Sequence, residues 1–237
     1  MQNTVTQMAN DTFVAMFTHD LKTPINSGIF ALEMLLKNST GNLNDFQKEI
    51  LTDVLNASKY MKNLVENALC KFKAESGKLK LNKERVSVKT LVEHCISETK
   101  YILNEKNQVL NFSAPKKEFF ANLDLVEMTR VINNLISNAS KYSPKNSEIN
   151  INLKKISDKF YFEIQDFGCG IKMQELDKAF EKYMRLANNQ KSAGTGLGLY
   201  ITKLIIDAHN GDIKIDSKLE KGTKISFSIP LKSQTLV

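Results

Sequence analysis

Apolar residues at Val14, Phe17, Leu21, Ile25, Gly28, Leu32 and Leu35 recur by threes and fours. That spacing lays one stripe along a helix, predicting a single long helix from residue 4 to about 37. The turn-formers Asn38-Ser39-Thr40-Gly41-Asn42 interrupt it. A second series, Phe46, Ile50, Val54, Ala57, Met61, Leu64, Ala68 and Phe72, predicts another long helix. Two long helices with a short connection make an antiparallel hairpin. A hairpin alone buries little, so pairing with a second copy into a four-helix bundle predicts a homodimer. Docking of both helices on the rest of the chain is the alternative.

The period changes after Ala74-Glu75-Ser76-Gly77-Lys78. This divides the chain into a helical domain (1–74), a linker (75–78) and a second domain (79–237). Leu79, Leu81 and Val86 suggest a strand, 88–104 a helix, and 107–113 and 117–123 two short strands. A helix over 124–142 starts near Asp124, an N-cap with Glu127 three residues on. Alternation at Ile149, Ile151, Leu153 and at Phe160, Phe162, Ile164 predicts a hairpin turning at Ser157-Asp158. A helix at 173–186, a loop at 187–196, a helix at 197–209 and strands at 212–217 and 223–229 follow. The fold class expected is α+β: a helical hairpin, then an α/β sandwich with one helical layer over a mixed sheet.

Composition adds boundaries rather than identity. With 237 residues, 42% hydrophobic and 25% charged, the chain has material for one large or two small globular domains. No stretch reaches the roughly 18 uninterrupted apolar residues of a membrane span, and the N-terminus lacks a signal-peptide pattern. A cytoplasmic location is therefore expected. Cys70, Cys95 and Cys169 are scattered, which favours reduced thiols over disulfides or zinc. The formal charge of +7 comes mostly from dispersed lysines. Without an arginine-rich run or aromatic–basic alternation, no nucleic-acid partner is expected.

Four local patterns carry chemistry. His19 lies two residues from both Phe17 and Leu21, so it is rotated off the apolar stripe towards water, with Asp20 beside it and Thr23 one turn on. By itself this is an ordinary surface histidine or a reactive one. Asn134, Asn138 and Lys141 share one helical face. Amide oxygens suit Mg²⁺ and a lysine suits a phosphate, although asparagine pairs on exposed helices are common. Asp166-Phe167-Gly168-Cys169-Gly170-Ile171 follows a strand: a carboxylate able to accept a purine's amine, or a plain glycine-rich turn. Gly194-Thr195-Gly196-Leu197-Gly198-Leu199 opens a helix, where exposed N–H groups attract an anion. Its G-x-G-x-G spacing is neither a dinucleotide fingerprint nor a P-loop.

Taken in order, His19 to Pro24, the Asn134/Asn138 helix, Asp166-x-Gly-x-Gly, Phe180-Glu181-Lys182-Tyr183-Met184-Arg185 and Gly-Thr-Gly-Leu-Gly-Leu closely resemble the successive sequence boxes of bacterial two-component sensor histidine kinases. The resemblance covers nearly the whole chain. It implies a dimeric helical hairpin followed by the ATP-binding sandwich shared with gyrases, mismatch-repair proteins and a heat-shock chaperone. It further implies His19 as phosphoacceptor, Asp20 as its general base, and Thr23 as an aid to positioning water in dephosphorylation. Asn138 would hold Mg²⁺ with help from Asn134. Lys141 and Arg185 would contact phosphates, Tyr142 would lie against adenine, and Asp166 would bind its amine. Gly168 and Gly170 belong to the turn at the base, and Gly194, Thr195, Gly196, Leu197 and Gly198 to the lid over the phosphates. The implied cofactors are ATP and Mg²⁺. The implied partner is the receiver domain of a response regulator, whose aspartate takes the phosphoryl group and which the kinase also dephosphorylates.

Departures from the family pattern are Tyr183 and Met184, where aromatics such as Phe are usual, and Phe167, where a polar residue is frequent. They touch packing more than chemistry. No sensor, span or receiver domain is present, so the chain reads as a fragment or takes its signal through a partner; a missing sensor region could supply a span. His94 and His209 read as structural, the latter at a helix C-terminus where a cation is favourable.

Overall fold

The computed structural model describes residues 20–37, 41–75, 79–184 and 196–232. It falls into two compact units, Met1–Lys78 and Leu79–Val237.

In the first unit, α1 (20–36) and α2 (Asp45–Glu75) form the hairpin. Reciprocal bonds start α2: the Asn44 N–H donates to Gln47 Oε1 at 2.9 Å, and the Gln47 N–H to Asn44 Oδ1 at 2.8 Å. This capping-box arrangement satisfies donors that the first helical turn cannot. The antiparallel sense is legible in the ion pairs, Lys22 with Glu66 at 3.3 Å and Glu33 with Lys59 at 2.9 Å. Such half-exposed pairs set register but contribute at most about 1 kcal/mol each. Helix α2 runs on through Glu75, so the expected linker begins inside helical chain.

The expected α2 stripe is not the face that its own chain covers. Leu55 and Cys70 are buried, whereas Phe46 (70% exposed), Ile50, Val54 and Met61 stay open to solvent. Phe30 and Met34 of α1 are exposed too. At 100° per residue the two sets lie on different sides of α2, so the helix is apolar on two faces.

In the second unit, β1 (Lys83–Ser87) pairs antiparallel with β3 (Phe120–Asp124) as a two-stranded sheet. The strand expected from Leu79 starts only at Lys83. Helix α3 (Val88–Glu105) is capped by Ser87, and α4 (Leu125–Tyr142) by Asp124, whose side chain accepts the Glu127 N–H. Strands β2 (Val109–Ser113), β4 (Glu148–Ile156), β5 (Lys159–Asp166), β6 (Asp212–Lys218) and β7 (Gly222–Pro230) form the main sheet in the order β2-β4-β5-β7-β6. Only β2 and β4 are parallel, and the crossover that parallel strands require runs through β3 and α4.

Register explains the core. One sheet face carries Leu153, Phe162 and Phe227 in one row and Ile151, Ile164 and Ile225 in the next, all buried. Phe162 and Phe227 stack at 5.0 Å between ring centres. Each such side chain contributes about 1.5–3 kcal/mol by leaving water. Helices α4 and α6 (Gly198–Ala208) lie against this face, and α3 packs beside α4. The other face is polar, with Asn150 and Asn152 on β4, Glu163 and Gln165 on β5 and Lys224 on β7. Edge strand β6 alternates exposed Asp212, Lys214, Asp216 and Lys218 with half-buried residues.

One element is shorter than expected. Instead of a helix to 186, α5 spans only Met173–Leu176, and turns follow to Tyr183. Tyr183 has φ 60°, a left-handed conformation that a right-handed helix cannot continue through.

Candidate nucleotide-binding site

The alternation that buries Phe160, Phe162 and Ile164 carries one step further, to Asp166. Its register partner is Ile149, a core residue. A carboxylate is thereby held on the apolar face, 7% exposed. Its Oδ1 accepts two backbone N–H groups, from Gly168 at 2.9 Å and Thr223 at 3.2 Å. Burial pushes the Asp166 pKa up, and the two N–H donors pull partly the other way. A further donor would stabilise the charged form.

Asp166 sits in a cleft of about 620 Å³, open mouth included, walled by Leu135, Ile164, Ile171 and Ile225 and bordered by Asn138 and Tyr142. Apolar walls around a buried carboxylate suit a flat ring bearing an amine. The loop 168–171 is fixed on both sides. The Cys169 N–H donates to the Tyr142 carbonyl at 3.3 Å, and the Glu220 N–H to the Cys169 carbonyl at 2.7 Å. The Ile171 N–H donates to Ser217 Oγ at 2.9 Å. A Cβ on Gly168 would stand 2.2 Å from the Tyr142 carbonyl oxygen, so only glycine admits this approach.

Helix α4 supplies the polar edge. Asn138 borders the cleft, and Lys141 Nζ lies 5.0 Å from the Tyr142 ring centre. Asn134 turns to α6: its Nδ2 donates to Thr202 Oγ1 at 2.8 Å, and its Oδ1 lies 2.5 Å from where a Gly198 Cβ would be. A second tie joins the same helices. His209 is buried at the end of α6; its Nδ1–H donates to the Ile205 carbonyl (2.8 Å), and its Nε2 accepts the Asp124 N–H (3.0 Å). Burial, aided by Lys83, pushes its pKa down against the Ile205 bond and the Asp124 carboxylate. With Nε2 accepting the Asp124 N–H, the ring sits as neutral imidazole, and desolvation outweighs the charge that a helix C-terminus favours.

Two family descriptions match the chain: "His Kinase A (phospho-acceptor) domain" over residues 9–77 and "Histidine kinase-, DNA gyrase B-, and HSP90-like ATPase" over 123–233. This chain belongs to the histidine kinase family. Sensor histidine kinase WalK of Bacillus subtilis (strain 168) is 30% identical over 226 residues, 94% of this chain and 37% of its own length. Sensor protein kinase WalK of Staphylococcus aureus is 30% identical over 222 residues, 92% of this chain and 53% of its own. The chain thus spans about a third to a half of the length of these relatives. Among solved structures, full-length ShkA in complex with AMPPNP matches 92% of this chain and 45% of its own, with TM-score 0.70 and 20% identity. Acinetobacter baumannii AdeS matches 90% of this chain and 98% of its own, with TM-score 0.62 and 23% identity. These two establish the fold.

For the histidine kinase core, the cleft brings together Asn138, Tyr142, Asp166 and Gly170, with Gly168 behind its wall. Leu197 is buried ahead of α6, and Gly196 packs on the backbone of Tyr183. His19, Arg185, Gly194 and Thr195 lie outside the described residues. Asp20 and Thr23 are exposed on α1, where the Thr23 carbonyl accepts Ser27 Oγ–H. Thr223, Ser217, Ile215 and Glu175 at the site were missed by sequence reading. Strands were expected at 212–217 and 223–229, which hold Ile215, Ser217 and Thr223, yet nothing local shows that β6 and β7 return beside Asp166.

The donor set fits ATP with Mg²⁺. Among the described residues no three of His, Cys, Asp and Glu cluster as a metal site. A single amide such as Asn138 suits a hard ion whose remaining ligands are phosphate oxygens and water. No described helix is long and apolar enough to cross a membrane.

Proposed function

We propose that this chain is the catalytic core of a sensor kinase that phosphorylates its own His19 from Mg-ATP and passes the group to an aspartate of a response-regulator receiver domain. The observation that carries this reading is Asp166, a carboxylate buried in an apolar cleft bordered by Asn138 and Tyr142. In this reading residues 1–74 are the dimerisation and phosphoacceptor domain and 79–237 the ATP-binding domain, working in the cytoplasm where ATP is supplied. The exposed row Phe46, Ile50, Val54 and Met61 supports a homodimer, since a second copy would take it out of water.

Asp166 accepts the adenine amine, Tyr142 lies against the base, and Lys141 and Arg185 face the phosphates. Gly194, Thr195, Gly196, Leu197 and Gly198 form the covering loop. Asn138, helped by Asn134, holds Mg²⁺, which neutralises phosphate charge. The neutral His19 imidazole attacks the γ-phosphorus; the bond to the bridging oxygen breaks, and ADP leaves. Asp20 takes the ring's other proton. The regulator's aspartate then receives the phosphoryl group, and Thr23 positions water for its later removal. Incubation with γ-labelled ATP tests this: acid-labile label on the wild type and none on His19→Gln is expected. Label persisting in His19→Gln sinks the assignment.

A further inference from the structure

We infer that Lys106 and Gln108, which do not line the cleft, are positioning residues for the nucleotide, acting through the last turn of α4. The inference rests on the nucleotide reading of the cleft.

A helix leaves its last four carbonyls without partners inside it. No glycine closes α4; its C-cap Ser143 is extended, with φ −92° and ψ 149°. The donors come instead from the turn between α3 and β2. Lys106 Nζ donates to the carbonyls of Ser140 (2.7 Å), Lys141 (3.0 Å) and Ser143 (3.2 Å). The buried Gln108 Nε2 donates to those of Ser140 (3.1 Å), Ser143 (3.4 Å) and Pro144 (2.9 Å), and its Oε1 accepts Ser140 Oγ–H at 2.6 Å.

The carbonyl of Tyr142, in the midst of this set, is bonded elsewhere: it accepts the Cys169 N–H. Gly168 packs directly against that same oxygen and donates its own N–H to Asp166 Oδ1. An unbroken chain of contacts therefore runs from Lys106 and Gln108, through the end of α4, to the carboxylate at the base of the cleft. The turn they hold also carries Lys141 and Tyr142. An ammonium at the negative end of the helix adds favourable charge. Were the two side chains simple stabilisers, loosening them would lower the unfolding midpoint and leave a bound nucleotide indifferent. As positioning residues they govern affinity.

The test is titration of the 237-residue chain with Mg-AMPPNP by calorimetry, with thermal unfolding followed in parallel. Lys106→Met keeps the length of the side chain and removes its donors; affinity should fall by about tenfold, on the scale of hydrogen bonds from a charged donor. Lys106→Arg restores donors and should return affinity to within about threefold of wild type. Gln108→Glu keeps shape, removes a donor and sets a carboxylate against carbonyls, so it should also weaken binding; it serves if Lys106→Met does not fold. A lowered midpoint with wild-type affinity in Lys106→Met and Gln108→Glu overturns the positioning role alone. A wild-type chain that takes up no nucleotide overturns the site reading, and this inference with it.

Discussion

In the second unit Phe160, Phe162 and Phe227 are all buried, Phe227 packing on both of the others, while in the first Phe46, Ile50, Val54 and Met61 face water. The sheet closes its core within one chain because α4 and α6 cover the single apolar face. The hairpin cannot, because α2 is apolar on two faces and α1 covers one of them. Apolar content alone therefore does not tell whether a segment is finished. What tells is whether the chain itself supplies a cover for every apolar face.

The largest effect that probes this contrast is Phe162→Ala. Truncation in the sealed core should cost about 4 kcal/mol, read as a lowered unfolding midpoint of the second unit. Phe46→Ala should leave the dilute, unassociated chain nearly unchanged, and an equal loss there would erase the distinction. Next comes Ile50→Glu with Val54→Glu. It should weaken self-association by about a hundredfold in sedimentation, as loss of central interface anchors does, while nucleotide affinity stays as it was. A variant that dimerises like wild type shows that the open stripe is covered by something other than a second copy.

Smaller effects belong to the sealed unit. Asp166→Asn should weaken Mg-AMPPNP binding by about thirtyfold, the range for a hydrogen bond to a charged group. Because burial raises the Asp166 pKa in the free protein and a bound amine favours its ionised form, affinity should rise as pH climbs through that raised pKa. Asp166→Asn should flatten that rise. The smallest change concerns His209. Its folded-state pKa is depressed, so the stability given by the neutral ring is complete above its ordinary value of 6.5 and is lost as pH falls below it. His209→Gln should remove this acid-side decline at a cost of about 1 kcal/mol at neutral pH, measurable by denaturant titration from neutral to mildly acidic pH.

Much of the second unit was legible because its signals are local. Asp124 with Glu127 announced the start of α4, and Ser157-Asp158 the turn between β4 and β5. Period-two alternation through Phe160, Phe162 and Ile164 marked the strand, and the structure carries its buried phase on to Asp166. What stayed hidden is long-range. Thr223 reaches Asp166 from 57 residues away, and Lys106 reaches the end of α4 across 34 to 37. No spacing rule records either. The helix expected over 173–186 failed for a conformational reason, the left-handed Tyr183, which the residue type does not announce. On α2 periodicity marked the apolar row Phe46, Ile50, Val54 and Met61 that stays exposed; the second copy expected to cover it came from how little a lone hairpin buries, since period says nothing about what lies opposite.

Strand β6 borders solvent with its main-chain groups unshared on one side, and its side chains alternate acid, base, acid, base from Asp212 to Lys218. A foreign peptide seeking to extend the ladder there would have to mirror that lettering of charges or strip them of water. Growth by strand addition is thus discouraged at this margin.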